Sequence, residues 1–484
     1  MRVLLINPPS KFNISKDSRW PEHTKSGTLY YPFWLAYTAG VLLEAKKEVM
    51  LIDSIAKRDT FESALEKVKR FSPNLLVATT TTGTLYADIK FLESVKKELK
   101  KCKTVLAGSH VTALPEETLK ISNSIDFITR GEFEYTVFEL SEALEGQKNF
   151  ESIKGLSYRK GGKIINNPGR EPITCLDKIP FVSKVYKKFL NPQDYRYALA
   201  LHPMTQIWTS RGCPNMCNFC VYPHQFTLKD FRVRSPKNVV DEVEWISKNL
   251  PEIKEFFFED DTFTIDQERV HRICEEIQRR RLKVTWSCNV RVSTSYETLR
   301  RMKEAGCRIV IVGYESGDQN VLNTIKKGTT LKQAEEFTRN AKKVGLKIFG
   351  CFMIGLQGDD KVSVEKTFNF AKKINPDMVF FQQAVPFPGT AFYNWVKEMG
   401  YLNAKDWDEW IDDNGQLRCL VDYPDLPAAE IKKLRDSFML RFYLSPKHAF
   451  QLLRNNINSA SEIARIMTYS KEYLLYLLKS RKSK

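Results

Sequence analysis

The sequence has no apolar run near the roughly 20 residues that a membrane-spanning helix needs. Its first residues, MRVLLINPP, are too short an apolar stretch for a secretory signal and lead into a polar segment. We therefore expect a cytoplasmic protein. The composition, 42% hydrophobic and 27% charged, is that of an ordinary globular chain, and 484 residues predict two or three domains.

The sequence has few cysteines, and their positions indicate their roles. Seven of the ten cysteines are scattered, as small core residues are in a reducing compartment. The other three, Cys213, Cys217 and Cys220, lie within eight residues, and clustered cysteines of this kind indicate a metal site. A second cluster needs at least three more close cysteines, which the sequence does not have.

The spacing C-x3-C-x2-C predicts an iron–sulfur cluster. A [4Fe-4S] cubane held by three thiolates keeps one iron open. An open iron can bind the amino and carboxylate groups of S-adenosylmethionine and pass an electron to its sulfonium, which yields a 5′-deoxyadenosyl radical. Zinc is the alternative, but it normally takes four ligands, and His224 is the one nearby candidate.

The apolar periodicity predicts an α/β chain of three structured parts and one linker. Residues 1–147 alternate short strands with helices, which is typical of a doubly wound, Rossmann-like open sheet. Residues 148–200 are rich in Lys, Gly and Pro and are predicted to be a linker that includes a hairpin. Residues 201–400 repeat the strand–helix pattern six times, as in a partial (β/α)6, TIM-like barrel. Residues 401–484 are predicted to be a helical, basic region.

The cysteine motif, with Phe219 before its last cysteine, resembles the radical S-adenosylmethionine superfamily, in which this aromatic residue lies near the adenine. Residues 1–147 resemble the cobalamin-binding domain of one large branch of that superfamily. The stretches that carry this second resemblance are AGSHVTALPEETL and DFITRGEFEYTVFELSEALEG. The resemblance covers essentially the whole chain.

The polar residues at the ends of the predicted barrel strands are the candidates for contact with S-adenosylmethionine. The resemblance implies that Asp260 or Asp261 binds its ammonium group, and this is favoured over a solvated turn or a helix cap at EFFFEDDTFT. Glu315 is implied near the ribose or ammonium, with a helix cap as its alternative role. The full set of predicted contacts is Phe219, Asp260, Asp261, Asn289, Arg291, Glu315, Ser316 and Gly355. Cys288 and Cys351 are interpreted as core packing, with hydrogen donation as the alternative.

Cobalamin binding stays an open hypothesis at this point. The chain lacks the Asp-x-His-x-x-Gly motif whose histidine ligates cobalt. The resemblance does not settle the question, because some members of the branch lack that histidine and bind cobalamin, while others use none. The residues that would line such a site are Thr79, Thr80, Gly83, Gly108, Ser109 and His110.

The chain is basic, with a net charge of +17, and residues 431–484 hold twelve Lys/Arg against three Asp/Glu. Three interpretations of this region compete: packing against the barrel, contact with an anionic membrane on its inner face, and nucleic acid. The first two are favoured, and no nucleic-acid partner is expected. The cluster chemistry also calls for an electron donor such as flavodoxin or ferredoxin.

Five stretches, among them VGYESGDQNVLNTIKKG and RFYLSP, are similar to the bacteriohopanetetrol cyclitol ether synthases of hopanoid biosynthesis. This implies an amphiphilic lipid substrate whose glucosamine head group contracts to a cyclitol. The main alternative is a cobalamin-dependent methyltransferase or cyclase acting on an isoprenoid or tetrapyrrole. A methylthiotransferase is disfavoured, because residues 1–147 hold only Cys102. A lipid or cobalamin carrier with a vestigial barrel is the non-enzyme alternative.

Overall fold

The computed structural model describes residues 1–24 and 26–448 of the chain. The described residues form an α/β structure with two large sheets and one two-stranded sheet. Most of the predicted basic tail lies outside the described residues. In the described part, no helix is long and apolar enough to cross a membrane.

The first sheet has seven strands in the order β2-β1-β3-β4-β5-β6-β7, of which the first five are parallel. The apolar runs of the sequence form the buried middle of this sheet, as expected for strands covered on both faces. The strands are β1 (Arg2–Asn7), β2 (Glu48–Asp53), β3 (Leu75–Thr79), β4 (Lys103–Ala107), β5 (Phe127–Thr129), β6 (Leu156–Lys160) and β7 (Lys163–Asn166). The helices are α1 (Phe33–Glu44), α2 (Phe61–Phe71), α3 (Leu85–Glu98), α4 (Ser109–Ala113), α5 (Pro115–Ile121) and α6 (Glu134–Leu144).

The hairpin β6–β7 differs from the sequence-based boundary. It was expected inside a linker that begins at residue 148, but β6 pairs antiparallel with β5 and extends the first sheet. The first structural unit therefore continues to about residue 166. The connection that follows contains one helix, α7 (Val182–Phe189), which packs against α1.

The second sheet is the predicted six-stranded partial barrel, with parallel neighbours in the order β15-β14-β13-β12-β11-β8. A separate two-stranded pair, β9 with β10, lies beside its first strand. The strands are β8 (Met204–Ile207), β9 (Ser210–Arg211), β10 (Arg232–Val233), β11 (Glu255–Phe258), β12 (Trp286–Val290), β13 (Cys307–Glu315), β14 (Lys347–Ile354) and β15 (Met378–Gln383). The helices are α8 (Pro236–Asn249), α9 (Gln267–Arg279), α10 (Tyr296–Glu304), α11 (Gln319–Thr324), α12 (Leu331–Lys343) and α13 (Lys361–Ile374).

The region after the barrel is less helical than expected. Between α14 (Ala391–Glu398) and α15 (Ala428–Tyr443) the chain is mostly irregular and includes a short 3-10 helix, Trp407–Trp410. This segment packs on α3 of the first unit. Helix α15 packs on β15 with Phe438 and Phe442 buried, so this much of the basic region packs against the barrel. One continuous apolar core joins the two sheets.

Candidate functional site

The cluster loop, residues 212–228, follows β9 directly at the first strand of the barrel. Cys213 and Cys217 are buried and Cys220 is partly buried. Backbone hydrogen bonds fix the loop. The N–H of Cys213 donates to the Leu228 carbonyl at 3.1 Å, and the N–H of Cys220 donates to the Cys217 carbonyl at 3.1 Å. A π-helical turn, Tyr222–Phe226, closes the loop.

The three thiols are close enough to act on one another. Burial raises the pKa of the Cys220 thiol well above its usual range, and the neighbouring Cys217 and Asp261 raise it further. Iron bound to sulfur would relieve this by stabilising the thiolate. In the described residues, no three His, Cys, Asp or Glu side chains converge as ligands of a single metal ion. A [4Fe-4S] cubane does not need three ligands at one ion, because each cysteine binds a different iron. The three cysteines therefore fit a [4Fe-4S] cluster.

The two aspartates after β11 accept hydrogen bonds from different residues. Asp260 is buried, and its carboxylate accepts hydrogen bonds from the Thr209 N–H (2.6 Å), the Thr209 hydroxyl (2.6 Å) and the Ser210 hydroxyl (2.5 Å). Asp261 accepts from the Gly212 N–H (3.0 Å) and the Thr227 hydroxyl (2.7 Å). Both side chains therefore hold the start of the cluster loop, and the contact predicted between one of them and an ammonium group stays a prediction.

Arg19 reaches this acidic strand end from the first unit. Its guanidinium lies 2.5 Å from Glu259 and 3.4 Å from Asp261, over the ring of Tyr222 at 4.8 Å. Burial acts to lower the pKa of Arg19, but the two carboxylates raise it by more, so the side chain stays charged. Burial raises the pKa of Glu259 to about 7. Arg19 thus brings a cation of one unit to the strand ends of the other.

A second ion pair lies at the mouth of the barrel. The Lys327 ammonium is 2.7 Å from the Glu315 carboxylate, and both side chains are almost buried. Burial acts to lower the pKa of Lys327, but Glu315 and Cys217 raise it by more. The Arg291 guanidinium donates to the Lys327 backbone carbonyl, and the Asn289 amide donates to the Asp260 backbone carbonyl at 3.1 Å. The predicted residues Asn289, Arg291 and Glu315 are therefore at one edge, beside the cluster loop.

Three other residues that were predicted to contact S-adenosylmethionine make contacts within the protein. The Ser316 hydroxyl is 3.1 Å from that of Thr367 on α13 and is buried there. A Cβ placed on Gly355 would lie 2.9 Å from Ile431 of α15, so this glycine accommodates the C-terminal helix. Phe219 is partly buried and packs against the main core. Roles for these three residues at the cofactor stay predictions.

The two barrel cysteines also differ. Cys288 is fully buried on β12 and interacts with Cys307, which agrees with core packing. Cys351 on β14 is partly exposed and lies near Glu315 and Lys327.

In the first unit, the predicted residues lie at the carboxyl edge of the sheet, next to the β1–β3 switch in strand order where such folds bind ligands. Gly108 follows β4 with φ +133°, and a Cβ there would lie 2.3 Å from the Thr80 carbonyl oxygen. The Thr79 hydroxyl is buried without a hydrogen-bond partner among the described residues. A backbone cradle beside an unpaired hydroxyl is suited to a large polar ligand.

His110 and Gly83 face the C-terminal segment instead. The Nδ1 of His110 is 3.1 Å from the Thr82 hydroxyl, and its ring meets the edge of Trp407. Burial lowers the pKa of His110 to about 4, so its ring is neutral. A Cβ on Gly83 would lie 2.5 Å from Ile411. Both residues therefore lie beneath the cover formed by the segment between α14 and α15.

A cavity of about 500 Å³, counting the space open to solvent, lies between the two units. One wall is the edge of the first sheet, and the other is the π-helical turn that closes the cluster loop. The residues that matter here are Lys16, Arg19, Thr79, Thr80, Gly108, Ser109, Tyr222 and Phe226. With Gly108 and the unpaired Thr79 hydroxyl, this wall has the backbone and polar groups that would hold the ligand of a cobalamin-type domain.

The sequence did not reveal Arg19 or Lys327. Arg19 lies in the long polar loop after β1, and Lys327 is one of 75 Lys and Arg residues. Only their burial beside acids distinguishes them, and burial depends on the tertiary fold.

Comparisons with known proteins agree with this geometry. Residues 208–371 match the Radical SAM superfamily and residues 23–141 match the B12 binding domain. The chain is 34% identical over 450 residues to an uncharacterized methyltransferase of Pyrococcus horikoshii, covering 92% of this chain and 93% of the relative. It is 29% identical over 414 residues to the anaerobic magnesium-protoporphyrin IX monomethyl ester cyclase of Rubrivivax gelatinosus, covering 83% and 70%.

Two solved structures share the fold. The radical S-adenosylmethionine methyltransferase TsrM from Kitasatospora setae, with cobalamin and a [4Fe-4S] cluster bound, aligns with a TM-score of 0.71 at 17% identity, covering 92% of this chain and 89% of that one. The cobalamin-dependent enzyme OxsB aligns with a TM-score of 0.62 at 16% identity, covering 92% and 62%. At these identities the likeness concerns the fold.

The predicted superfamily, fold class and cofactors are thus confirmed, whereas the resemblance to hopanoid enzymes is not. The cysteine loop, the cradle at Gly108 and the full-length relative agree on one assignment. The chain belongs to the cobalamin-dependent radical S-adenosylmethionine enzymes, whose cofactors are a [4Fe-4S] cluster, S-adenosylmethionine and cobalamin.

Proposed function

We propose that the protein is a methyltransferase that places a methyl group from S-adenosylmethionine on a poorly activated carbon. The observation that carries the proposal is the cavity between the units. Its one wall contains Thr79 and Gly108, and its other wall contains Tyr222, in the π-helical turn that closes the cluster loop. Ligands held on the two walls face each other, as a transfer between two cofactors requires.

Bound cobalamin supplies a carrier that accepts a methyl group and passes it on. The chain's own residues arrange the space around that exchange. Arg19 bridges the two units, because its loop belongs to the first and its guanidinium is bound by Glu259 and Asp261 of the second. The aromatic side chains of Trp34, Phe226 and Phe387 line the same cavity and give it an apolar surface.

The relatives favour methyl transfer over other chemistries. The full-length relative at 34% identity is described as a methyltransferase. Ring formation on a tetrapyrrole is the second candidate, because the cyclase of Rubrivivax gelatinosus aligns over 83% of this chain. The cyclase is named for a tetrapyrrole, and we propose for this chain a tetrapyrrole, an isoprenoid or a similar molecule with unactivated carbons.

The test uses anaerobically reconstituted protein with S-adenosylmethionine that carries a deuterated methyl group. We expect stoichiometric cobalamin in the absorption spectrum and a trideuteromethyl group in the product made from a tetrapyrrole or isoprenoid panel. Cys217→Ala should abolish 5′-deoxyadenosine formation, whereas Cys419→Ala, outside the cluster loop, should not. Product without the label, with 5′-deoxyadenosine still formed, would favour the cyclase hypothesis.

The hopanoid hypothesis stays a prediction that depends on the five sequence stretches, and no relative reported above is a hopanoid enzyme. Glucosaminyl bacteriohopanetetrol belongs in the same panel, because a cyclitol product without a labelled methyl group would establish ring contraction. The electron donor also stays a proposal: the cluster loop needs a one-electron reductant, for which flavodoxin and ferredoxin are the candidates.

A further inference from the structure

Arg211 is a buried cation at the boundary between the two units. It lies two residues before Cys213, and only 2% of its side chain is exposed. Its guanidinium is over the rings of Trp34 and Tyr37 of the first unit, at 4.7 and 5.0 Å. The Glu134 carboxylate, also of the first unit and 1% exposed, lies 2.7 Å away. The residue that leads into the cluster loop is therefore held by the other unit.

A second carboxylate of the same segment holds the strand next to it. Glu132 binds Arg232 through both of its oxygens, at 2.8 and 3.0 Å, and lies 3.6 Å from Arg211. Arg211 and Arg232 are paired with each other between β9 and β10. Glu132 and Glu134 together thus fix the two-stranded pair from which the cluster loop begins and to which it returns.

The loop has little freedom to absorb a shift of Arg211. Gly212 has φ +89°, and a Cβ there would lie 2.2 Å from the Asp230 carbonyl oxygen, so the backbone is tightly packed. Its N–H is also bound by Asp261. A displacement of Arg211 is therefore passed to Cys213, because the residue between them is held on both sides.

Glu134 is also linked to the edge of the first sheet. The Thr112 hydroxyl donates to the Gly108 carbonyl at 2.8 Å and accepts from the Gly131 N–H at 3.1 Å. Gly131 begins the short turn that carries Glu132 and Glu134. A continuous set of contacts thus runs from the Gly108 cradle to the cluster loop.

We propose that Glu134 is a positioning residue for the iron–sulfur cluster, which it couples, through Arg211, to the occupancy of the first unit's ligand edge. Cobalamin bound at Gly108 would then alter the setting of Cys213 and with it the reduction potential of the cluster. The test measures this coupling directly. The proposal rests on the two cofactors and not on methyl transfer.

The experiment compares the midpoint potential of the cluster in cobalamin-loaded and cobalamin-free protein by anaerobic redox titration, followed by electron paramagnetic resonance. We expect a measurable difference in the unmodified protein that is lost in Glu134→Gln at equal iron content. Glu139→Gln is the matched control: it lies on α6 too, but it pairs with Arg170 of the connection at 2.6 Å. That variant should keep the full difference.

Two results would overturn the proposal: no dependence on cobalamin in the unmodified protein, or an unchanged dependence in Glu134→Gln. If Glu134→Gln does not fold, Glu134→Asp decides, because it keeps the charge and shortens the reach to Arg211. If the midpoint potential of Glu134→Asp depends less on cobalamin than that of the unmodified protein, the positioning role is supported. An unchanged dependence on cobalamin rejects it. Failure of methyl transfer in any assay leaves these readouts unaffected.

Discussion

Lys327 and Glu315 show how a single buried pair depends on its neighbours. Glu315 ends β13 with φ +65°, an uncommon conformation for a residue with a side chain, and the strand register shifts there. The ammonium of Lys327, 2.7 Å away, balances its charge. A buried carboxylate that loses such a partner costs roughly 1–3 kcal/mol or more.

We predict that Lys327→Met weakens the binding of S-adenosylmethionine about tenfold or more, because the unpaired Glu315 disturbs the barrel mouth. Isothermal titration calorimetry on cluster-loaded, anaerobic protein measures this. Lys326→Met is the control, since Lys326 is the adjacent lysine and its side chain is exposed. Equal affinity in the two variants would place the pair outside the binding site.

Residues of the site were predictable from the sequence where chemistry fixes their spacing. The three cysteines stand out because one cluster needs them close together. The choice between Asp260 and Asp261 was not predictable: both follow the same strand, and only the fold brings Thr209 and Ser210 to the first and Thr227 to the second. Arg19 was missed for the same reason, because its partners are about 240 residues away in the sequence.

Among the elements, the turn between β4 and α4 is the most constrained of those at the first sheet's edge. Gly108 has a φ of +133°, which a residue with a side chain rarely adopts, and its Cα faces the Thr80 carbonyl. The alternation of strands and helices in this sheet follows from periodicity and was predicted for residues 1–147. The pairing of β6 with β5 was not, because a short polar hairpin does not encode its neighbour.

We predict that Gly108→Ala lowers the affinity for cobalamin at least tenfold while the cluster is retained, because the added methyl group would lie 2.3 Å from the Thr80 carbonyl. Cobalamin content after reconstitution, and iron content as reference, measure the two effects. Gly162→Ala is the control, since Gly162 also has a positive φ, +79°, but nothing lies within 4 Å of its Cβ position. Cobalamin retained by Gly108→Ala at the level of this control would contradict the proposed site.

In the whole molecule, both units contribute side chains to the region around the cluster loop. Arg19 and Glu134 reach from the first unit to Asp261, which binds Gly212 at the start of that loop, and to Arg211, which directly precedes it. The segment between α14 and α15 returns from the barrel to cover Gly83. This mutual dependence could not be predicted from domain-sized patterns, because each contact joins residues far apart in the sequence.

The basic tail gives the last prediction. Residues 449–484, outside the described part, hold seven Lys/Arg against two Asp/Glu. Deletion after His448 preserves the described packing, since the His448 ring lies against Phe442 and its Nδ1 is 3.2 Å from Asn375. We expect the deletion to reduce binding to phosphatidylglycerol vesicles at least tenfold, because each basic residue near an anionic surface contributes about 1 kcal/mol.

Vesicle co-sedimentation measures this binding, with phosphatidylcholine vesicles as the uncharged reference. The matched control keeps the full length and replaces Lys479, Arg481, Lys482 and Lys484 with Gln. If charge attracts the tail to the membrane, this control should lose most of the binding that the deletion loses, and added salt should weaken binding of the unmodified protein. Binding that survives the deletion would reject the membrane hypothesis and leave packing against the barrel as the role of the basic region.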